Sequence, residues 1–279
     1  MDYHEMLSHL QYEDVIEKAI QRKRKKDYPV IKRIAEKAYW GEDFHFPLCN
    51  RQPLTRLTVL TYLLSQKYTE YKRLGISDDV IFETFRDVSL RAAFFYRKTG
   101  KVGLSKDDVI WFRYIMNVNL FKIGVLQFQP FQMIYLDKET IGEDYMQFPK
   151  TVKEGLPSGV PVINCHIQRN SDICPDLVEE AFEKAKQFFA EHFPTVNYQA
   201  FLCYSWLLYP PMIEKLPEYS KIRKFAERFE IIGQCSDSEQ AMENLFENKK
   251  TKISKSTFLQ RIALEDKENL GFGCGIIRI

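Results

Sequence analysis

The sequence lacks the features that define several large classes of protein. None of its apolar runs approaches the roughly 20 residues that a transmembrane helix needs, and its first residues do not resemble a secretory signal. The six cysteines are scattered without a Cys-x-x-Cys pair and the five histidines are dispersed, which argues against a disulfide framework and a metal centre. We therefore expect a cytoplasmic protein with reduced thiols, no bound metal and no attachment to a membrane.

The sequence also lacks a strong net charge. Its 279 residues include 40 Lys or Arg and 38 Asp or Glu, a formal charge of +2, so bulk attraction to nucleic acid is not expected. The run from Arg22 to Lys26 is a local exception, and we interpret it first as the solvated end of a helix. Polyanion binding through this run is a minor alternative, which predicts a salt-sensitive affinity for nucleic acid.

Familiar catalytic motifs are missing as well. The chain contains no Gly-x-x-x-x-Gly-Lys, Gly-x-Gly-x-x-Gly, His-Glu-x-x-His or Gly-x-Ser-x-Gly sequence. What it does contain is 45% hydrophobic residues, over a length sufficient for one large domain or two average ones. The organisation of the chain therefore has to be inferred from the periodicity of these apolar residues.

Two regions of different periodicity divide the chain. Residues 1–116 are helical in pattern almost throughout, with Ser105 and Asp108 spaced as a capping box, and predict a helical bundle. Residues 117–279 alternate strands with helices and predict a mixed sheet flanked by helices, so the fold class is α+β. Helices are expected over 12–26, 30–40, 54–74, 77–99, from 105, and over 175–193, 221–228 and 238–246. Strands are expected over 121–128, 132–136, 162–168, 198–208, 229–232 and 271–279, with a loop or hairpin connection over 137–161.

The segment from Val162 to Leu208 carries the most informative pattern, because a strand, a turn-rich loop, a helix beginning at Pro175 and a second strand follow one another. Parallel strands joined through a helix form a right-handed crossover, and anionic cofactors bind at the carboxyl end of its first strand, beside the helix amino terminus. Asn164, His166 and Gln168 alternate with apolar residues in that strand. We interpret this polar face as one wall of a wet cleft.

Three segments resemble a known family, the two-domain acyltransferases that join a helical amino-terminal domain to a GNAT-like carboxyl-terminal domain. Phe121-Lys-Ile-Gly-Val-Leu-Gln-Phe128 is similar to the family's Phe-Arg-x-Gly-x-Leu-Gln-Phe segment. Val162 to Gln168, with the helix after it, resembles the His-Ile strand and aromatic-ended helix of the family. Phe201 to Leu208 resembles its Cys-His-Ser-Trp-Leu-Leu strand, with Tyr204 in place of His. The likeness implies a helical domain over 1–116 and a GNAT-like acyltransferase domain over 117–279.

The resemblance also implies the chemistry, which is transfer of an acyl group from acetyl-CoA or another acyl-CoA to an unidentified amine or similar small-molecule acceptor. In such a fold the two parallel strands diverge and admit the co-substrate. The residues that would bind it are Asn164, Cys165, Ile167, Gln168, Arg169, Asn170 and Ser171. The thiols of Cys165 and Cys203 favour simple core packing, and a covalent acyl-cysteine remains open as an alternative.

The catalytic roles implied by the resemblance fall on a few side chains. His166 would be the general base, since the ordinary pKa of histidine lies near neutrality. Tyr204 or Ser205 would protonate the departing thiolate. Gln127 and Trp206 would lie on the substrate side of the cleft.

A second interpretation is a catalytically degenerate GNAT-like module that binds a small ligand or a protein partner. The loop from Gln168 to Cys174 contains no glycine, although the GNAT pyrophosphate loop normally does, and side chains obstruct the close approach of phosphate to the backbone. In that case His166, Tyr204 and Trp206 are hydrogen-bonded or packed side chains without a part in transfer. An open gap between the strands would favour transfer, and a gap plugged by side chains would favour binding.

Overall fold

The computed structural model describes residues 1–41, 44–246, 257–265 and 267–279. It divides into two compact units, Met1–Lys122 and Ile123–Ile279. The described part of the first unit is helical, as the sequence predicts. Its α-helices are α1 (Tyr3–Leu10), α2 (Asp14–Ala35), α3 (Pro53–Arg73), α4 (Asp78–Phe85), α5 (Asp87–Thr99) and α6 (Lys106–Met116), with a short 3-10 helix at Pro47–Asn50.

The predicted helix boundaries in this unit have identifiable local causes. The hydroxyl of Ser105 accepts a hydrogen bond from the backbone N–H of Asp108 at 3.0 Å, and the Asp108 carboxylate accepts one from the Ser105 N–H at 2.8 Å. This capping box starts α6 and satisfies two donors that a helix terminus leaves unpaired. Gly100 takes a left-handed φ of +69° directly after α5, a conformation that costs glycine little.

The separation of the helices expected over 12–26 and 30–40 is confirmed, because α2 consists of two helices that meet at a kink with non-helical dihedral angles at Asp27. Two other details of the first unit differ from the prediction. Helix α1 is not among the predicted helices, yet it forms and Asp2 caps it by accepting from the N–H groups of His4 and Glu5. The helix expected over 77–99 is interrupted at Arg86, two residues after Thr84, whose hydroxyl donates to the carbonyl of Val80 at 2.6 Å. Such side-chain bonds to the preceding turn bend helices.

A buried ionic network joins α5 to α6 in the first unit. Asp87 is 1% exposed, and its carboxylate accepts from Nε1 of Trp111 at 2.8 Å and from Nε of Arg91 at 3.2 Å. Arg91 also donates to Asp108 at 3.1 Å. Burial disfavours the charge on Arg91, but the two carboxylates outweigh it and raise the pKa of its guanidinium. The negative charge of the buried Asp87 is therefore neutralised by Arg91, a partner within the same unit.

A mixed sheet of six strands, in the order β1-β2-β3-β4-β6-β5, begins two residues before the second unit and continues through it. The strands are β1 (Phe121–Ile123), β2 (Leu126–Gln132), β3 (Pro161–His166), β4 (Ala200–Ser205), β5 (Glu230–Cys235) and β6 (Phe272–Arg278). The helices are α7 (Lys138–Ile141), α8 (Lys150–Gly155), α9 (Pro175–His192), α10 (Pro210–Glu214), α11 (Lys221–Ala226), α12 (Glu239–Leu245) and α13 (Phe258–Glu265). Within the described ranges, none of the helices in either unit combines the length and apolar character that a bilayer span requires.

The predicted crossover is confirmed. β3 pairs with β4 in parallel, while the β2–β3, β4–β6 and β5–β6 pairs are antiparallel. Pro175 occupies the first turn of α9, where its missing N–H has no intrahelical partner to lose. Phe182 of α9 packs on the sheet against Phe128 and Phe201, with ring centroids 5.6 and 4.9 Å away. Helix α9 thereby covers one face of the central strands.

The opposite face of the sheet packs on a second apolar cluster. Its buried members include Met133, Tyr135, Met146, Val162, Leu202 and Ile276. Val162 lies two residues before Asn164 on β3, and Leu202 lies two residues before Tyr204 on β4. Since alternate residues of a strand share a face, Asn164 and Tyr204 lie on this face as well.

Several strand boundaries in the second unit are wrong in the prediction. The strand expected over 121–128 is broken by a turn at Gly124, whose φ is +58°. Of the strand expected over 132–136, only Gln132 belongs to a strand, and that strand is β2 (Leu126–Gln132), which continues through Pro130. The connection over 137–161 contains α7 and α8. The two crossover strands end at His166 and Ser205, because the chain turns at each of these points.

Candidate functional site

The ladder between the two parallel strands of the crossover ends before either strand does. Their shared register consists of Ile163 opposite Phe201 and Asn164 opposite Leu202. Both strands continue beyond it, β3 to His166 and β4 to Ser205. The residues that extend past the shared ladder are thus 165–166 on one side and 203–205 on the other.

Both extensions remain held by their outer neighbours. His166 pairs with Gln127 of β2, and the β4–β6 register continues to Ser205 opposite Gly273. Both strands therefore stay ordered past the point where their shared ladder ends. Where two neighbouring strands no longer pair with each other, the main-chain N–H and C=O groups on their facing edges can form hydrogen bonds to a ligand.

A row of polar side chains lies on one face of the sheet, beside the end of this ladder. Alternation along β2 and β3 places Gln127, Gln129, Asn164 and His166 on the face opposite α9. The polar face predicted for Asn164 and His166 is present, whereas Gln168 lies after the strand has ended. The neighbouring residues Phe128 and Cys165 point to the α9 side.

His166 is half-buried at the end of β3 and is held by a carboxamide. Its Nε2 lies 2.9 Å from Oε1 of Gln129, which is 2% exposed. Gln129 sits opposite Asn164 in the β2–β3 register, so it reaches His166 along a diagonal of the antiparallel pair. A general base in this position would be fixed in orientation by β2.

Gln127 stands directly opposite His166 and is buried. Its side chain is 1% exposed, and among the described residues no hydrogen-bond acceptor lies within reach of its Nε2. A buried amide donor without a partner costs about 1–3 kcal/mol. Side chains directly opposite on one face of an antiparallel pair have Cβ atoms about 4.5–5.5 Å apart. An oxygen atom that accepted from Gln127 would thus lie close to His166.

Tyr204 lies on the same face of the sheet as His166, but its hydroxyl forms a hydrogen bond with a different part of the chain. Its hydroxyl donates to the carbonyl of Ile134 at 2.7 Å. Burial raises the pKa of the phenol well above its ordinary value, and the neighbouring Cys274 adds to the effect. Tyr204 therefore stays protonated and is a weak proton donor.

Ser205 and Trp206 form the start of a turn after β4. The hydroxyl oxygen of Ser205 accepts from the N–H of Leu207 at 3.1 Å and caps the 3-10 helix Trp206–Leu208. The N–H of Trp206 donates to Oε1 of Gln240 at 3.1 Å. The parity of β4 puts Ser205 on the α9 side, away from the face of His166.

The two central cysteines are buried together on the α9 side. Cys165 and Cys203 are 1% and 0% exposed. A hydrogen bond with Cys165, together with burial, raises the pKa of the Cys203 thiol well above its ordinary value. Because the thiolate is the nucleophilic form, this environment argues against a covalent acyl-cysteine.

The loop after β3 turns without a glycine. The N–H of Ser171 donates to the carbonyl of Gln168 at 3.1 Å, and Asn170 supplies the left-handed conformation of this turn with φ +64°. Asparagine tolerates this region better than most residues. The guanidinium of Arg169 donates to Oδ1 of Asn244 at 3.2 Å, while Ile167 packs against the apolar cluster around Leu207.

Basic side chains surround the amino terminus of α9. Lys221 donates to Asp172 at 2.7 Å, and this bond lowers the pKa of Asp172 and raises that of Lys221. Arg228 donates to the carbonyl of Pro175 at 2.9 Å and forms an ion pair with Glu179. The positive helix end is thus flanked by two cations that already have carboxylate partners.

Sequence reasoning missed several of these residues. Lys221, Arg228 and Asn244 come from helices and loops far along the chain, and nothing local in the sequence indicates that they approach β3 and α9. Gln129 had a detectable signal, since it follows Gln127 by two positions and alternation places both on one face of a strand.

A cleft of about 700 Å³ lies elsewhere in the second unit, along β5. Its lining includes Asp144, Tyr145, Pro210 and the stretch Ile231 to Ser236. It contains no residue of β3 or β4, so cavity size alone does not locate the predicted site. Within the described ranges, no cluster of three or more His, Cys, Asp or Glu side chains could hold a metal ion.

Comparison with protein families matches both halves of the chain. Residues 1–117 match a family described as an N-acyltransferase N-terminal domain. Residues 120–277 match one described as a GNAT-like C-terminal domain. A comparison with curated proteins gave no match.

Solved structures of an acyltransferase share the fold. A complex with decanoyl-CoA and teicoplanin is 18% identical, covers 99% of this chain and 87% of that chain, and has a TM-score of 0.70. A complex with decanoyl-CoA is 17% identical over the same fractions, with a TM-score of 0.71. A complex with CoA and 10C-teicoplanin is 17% identical, covers 99% of this chain and 87% of that chain, and has a TM-score of 0.70. At these identities the likeness establishes the architecture.

Proposed function

Because this chain belongs to the two-domain N-acyltransferases, with an N-acyltransferase N-terminal domain and a GNAT-like C-terminal domain, we propose that it transfers an acyl group from acyl-CoA to an amine acceptor. The observation that carries the proposal is the early end of the β3–β4 ladder at Asn164 and Leu202. The gap beyond it supplies main-chain groups for the pantetheine arm and lies beside the polar row of β2 and β3.

The co-substrate is proposed to run from this gap to the amino terminus of α9. Backbone N–H groups at a helix amino terminus favour a pyrophosphate. Arg169, Lys221 and Arg228 are the basic side chains that would meet it. Since Asp172 and Glu179 already neutralise two of them, the net attraction is modest and the main-chain donors supply most of the binding. The turn at Asn170 provides the chain reversal for which a glycine loop is otherwise used.

The proposed reaction uses His166 as the proton acceptor. The amine nitrogen attacks the thioester carbonyl carbon, a C–N bond forms, and the carbonyl electron pair moves to oxygen. His166 takes one proton from that nitrogen. When the intermediate collapses, the C=O bond re-forms, the C–S bond breaks, and CoA leaves as a thiolate. The thiolate then takes the proton that His166 carries, which returns the imidazole to its neutral form.

A separate acid for the leaving group is not required in this scheme. Thiols ionise with an ordinary pKa of about 8.5, far below that of an alcohol, so a thiolate departs readily. The raised pKa of Tyr204 and its bond to Ile134 also make it a poor proton donor. Tyr204 is therefore proposed to shape the gap, and the hydroxyl of Ser205 to support the turn after β4.

The developing negative charge on the thioester oxygen needs donors. We propose that backbone N–H groups between Asn164 and Gln168 and the carboxamide of Gln127 supply them. Gln127 supports this role because it is buried, lies opposite His166, and has no acceptor for Nε2 among the described residues. Donors fixed in a water-poor site stabilise an oxyanion without reorganisation.

Titration calorimetry with acetyl-, octanoyl- and decanoyl-CoA tests the co-substrate. The longer chains are chosen because structures of the same fold are complexes with octanoyl- and decanoyl-CoA. Binding of at least one of them, with free decanoate as the matched negative control, is the expected result. Absence of heat and of a thermal shift with all three would contradict the proposal. Binding without release of CoA in the presence of a panel of primary amines would favour the degenerate binding module.

Substitution Gln127→Leu is expected to change activity and stability in opposite directions. Loss of an oxyanion donor lowers turnover by about 100-fold. Replacement of a buried, unpaired amide by an apolar side chain of similar size raises the free energy of unfolding by about 1 kcal/mol. Turnover is followed by release of the CoA thiol, and stability by urea denaturation.

The matched control for this variant is Gln132→Leu, the same replacement at an exposed position of β2. It should leave turnover and stability nearly unchanged. A Gln127→Leu protein that keeps full turnover and loses stability would show that Gln127 is a structural residue.

A further inference from the structure

We propose that the cleft along β5 binds the distal end of an elongated acceptor, a linear polyamine, whose opposite terminal nitrogen reaches the gap between β3 and β4. The inference rests on the proposed function, because it takes the acceptor to be an amine. Its binding half can be measured without acyl-CoA, so its failure can be told apart from failure of the proposed transfer.

The cleft lies along the outer edge of β5. Six consecutive residues, Ile231 to Ser236, line it. A cleft over one face of a strand would be lined by alternate residues, because successive side chains point to opposite faces. β5 is the last strand in the order of the sheet, and within the described residues no strand pairs with its outer edge. Main-chain carbonyl groups on this edge can therefore accept hydrogen bonds from a ligand.

The cleft lies level with the gap between β3 and β4. Gln234 of β5 and Ser205 of β4 both lie opposite Gly273 of β6. Ser205 ends β4 beyond the shared β3–β4 ladder and so borders the gap. β4 and β5 both run antiparallel to β6, so their carboxyl ends lie at the same end of the sheet. Two strand spacings, about 10 Å, separate β5 from β4.

Two stacked rings cover the face of the sheet between the cleft and the gap. Tyr204 and Phe272 are half-buried, and their ring centroids lie 6.2 Å apart at an interplanar angle of 18°. Phe272 lies opposite Cys235, which lines the cleft. Tyr145, another lining residue, packs on the same apolar cluster as Tyr204. Such an aromatic surface suits a chain of methylene and ammonium groups, through apolar contact and cation–π attraction.

The charges beside the cleft favour a cation. Asp144 lines it, is exposed and has no ion-pair partner among the described residues. Asp237 accepts from the hydroxyl of Tyr145 at 2.5 Å and from the N–H of Glu239 at 2.9 Å. These bonds lower the pKa of Asp237, so its carboxylate stays ionised at neutral pH. Within the described ranges, the lining includes no Lys or Arg. The carboxylates and the edge carbonyls of β5 together suit an ammonium group.

The separation of the cleft from the gap sets the length of the acceptor. An extended chain advances about 1.2 Å per bond, so a span of about 10–12 Å needs about nine or ten bonds. Spermidine has this length between its terminal nitrogens, whereas 1,3-diaminopropane is less than half as long. A polyamine of the length of spermidine can thus hold one end in the cleft while the other reaches the gap.

Calorimetry of the full chain without acyl-CoA measures binding, with spermidine as the probe. We expect spermidine to bind more tightly than 1,3-diaminopropane, which is too short, and than octylamine, which has a single ammonium group. Asp144→Asn should weaken spermidine binding about fivefold, the effect of one exposed ion pair. Ser236→Trp, which places a large ring in the cleft, should abolish binding. Asp79→Asn changes an exposed carboxylate outside the cleft and is the matched control, which should bind like the unmodified protein.

Release of the CoA thiol tests whether the bound polyamine is the acceptor. KM for spermidine should lie below KM for 1,3-diaminopropane. Asp144→Asn should raise KM for spermidine about fivefold with little change in kcat, because Asp144 binds the end of the acceptor that does not react. Asp79→Asn should leave KM for spermidine as it is in the unmodified protein.

Three results would overturn the inference. The first is no binding of spermidine, the second is equal binding by the unmodified protein, Asp144→Asn and Ser236→Trp, and the third is acylation of spermidine no better than that of 1,3-diaminopropane. Transfer to short amines in any of these cases would leave the proposed function standing. Spermidine that binds in the cleft of a protein that acylates no amine would overturn the proposed function and the acceptor half of the inference, while the binding site would stand.

Discussion

Replacement of His166 by alanine is expected to lower kcat by about 10²- to 10⁴-fold, the contribution of a well-placed general base. The amine would still bind beside the thioester, but its proton would have to pass to solvent. The fold should be unaffected, because the half-buried imidazole contacts Gln129 at the end of β3 and is not part of the apolar clusters. Release of the CoA thiol with an amine acceptor measures the rate, and thermal denaturation measures the fold.

His4→Ala is the control for this variant, since His4 is exposed on α1. It should turn over like the unmodified protein. Equal rates for His166→Ala and His4→Ala would remove His166 from the mechanism, and a His166→Ala protein that fails to fold would show that the imidazole has a structural role.

Substitution Asp87→Ala is expected to lower the free energy of unfolding of the first unit by about 3 kcal/mol, the lower end of the cost of breaking a buried ion pair. Asp87 is almost fully buried and accepts from both Arg91 and Trp111. Its removal leaves Arg91 with Asp108 as its remaining carboxylate partner in the network. We expect the lower end because about a third of the Arg91 side chain, 33%, is exposed. Urea denaturation followed by tryptophan fluorescence reports the change.

Asp14→Ala is the matched control for this ion pair. Asp14 and Lys18 have the same i,i+4 spacing as Asp87 and Arg91, but their side chains are 92% and 65% exposed. Exposed pairs contribute less than about 1 kcal/mol. Equal losses from Asp14→Ala and Asp87→Ala would mean that burial does not set the strength of the Asp87 network.

The crossover could be predicted from the sequence because each of its elements has a local signal. Pro175 marks the first turn of α9, and the apolar positions of α9 recur at helical spacing. Asn164 and His166 alternate with apolar neighbours in β3, which indicates a strand with one polar face. Such signals depend on neighbours along the chain, so a single sequence contains them.

The ends of the strands could not be predicted, because pairing with other strands determines them. β3 ends at His166 opposite Gln127, and β4 ends where Ser205 caps a 3-10 turn. The aromatic residues Trp206 and Tyr209 after Ser205 favour a strand in isolation. The bond from the Leu207 N–H to the Ser205 hydroxyl prevails over that preference.

For the same reason, only some of the residues of the site could be predicted from the sequence. His166 and Gln127 follow from the resemblance, whereas the contact of Gln129 with His166 depends on the register of β2 with β3. The glycine-free loop argued against a phosphate site at sequence level. In the structure Asn170 adopts the left-handed conformation that the turn needs.

A crystal structure with a non-hydrolysable thioether analogue of decanoyl-CoA is the most direct measurement of whether the gap between β3 and β4 holds the thioester. We predict the sulfur beyond the contact of Cys165 with Cys203, between His166 and residues 204–205, with the pyrophosphate at the amino terminus of α9. An analogue bound instead in the cleft along β5, or a β3–β4 ladder that continues to His166 and Tyr204, would contradict this mechanism.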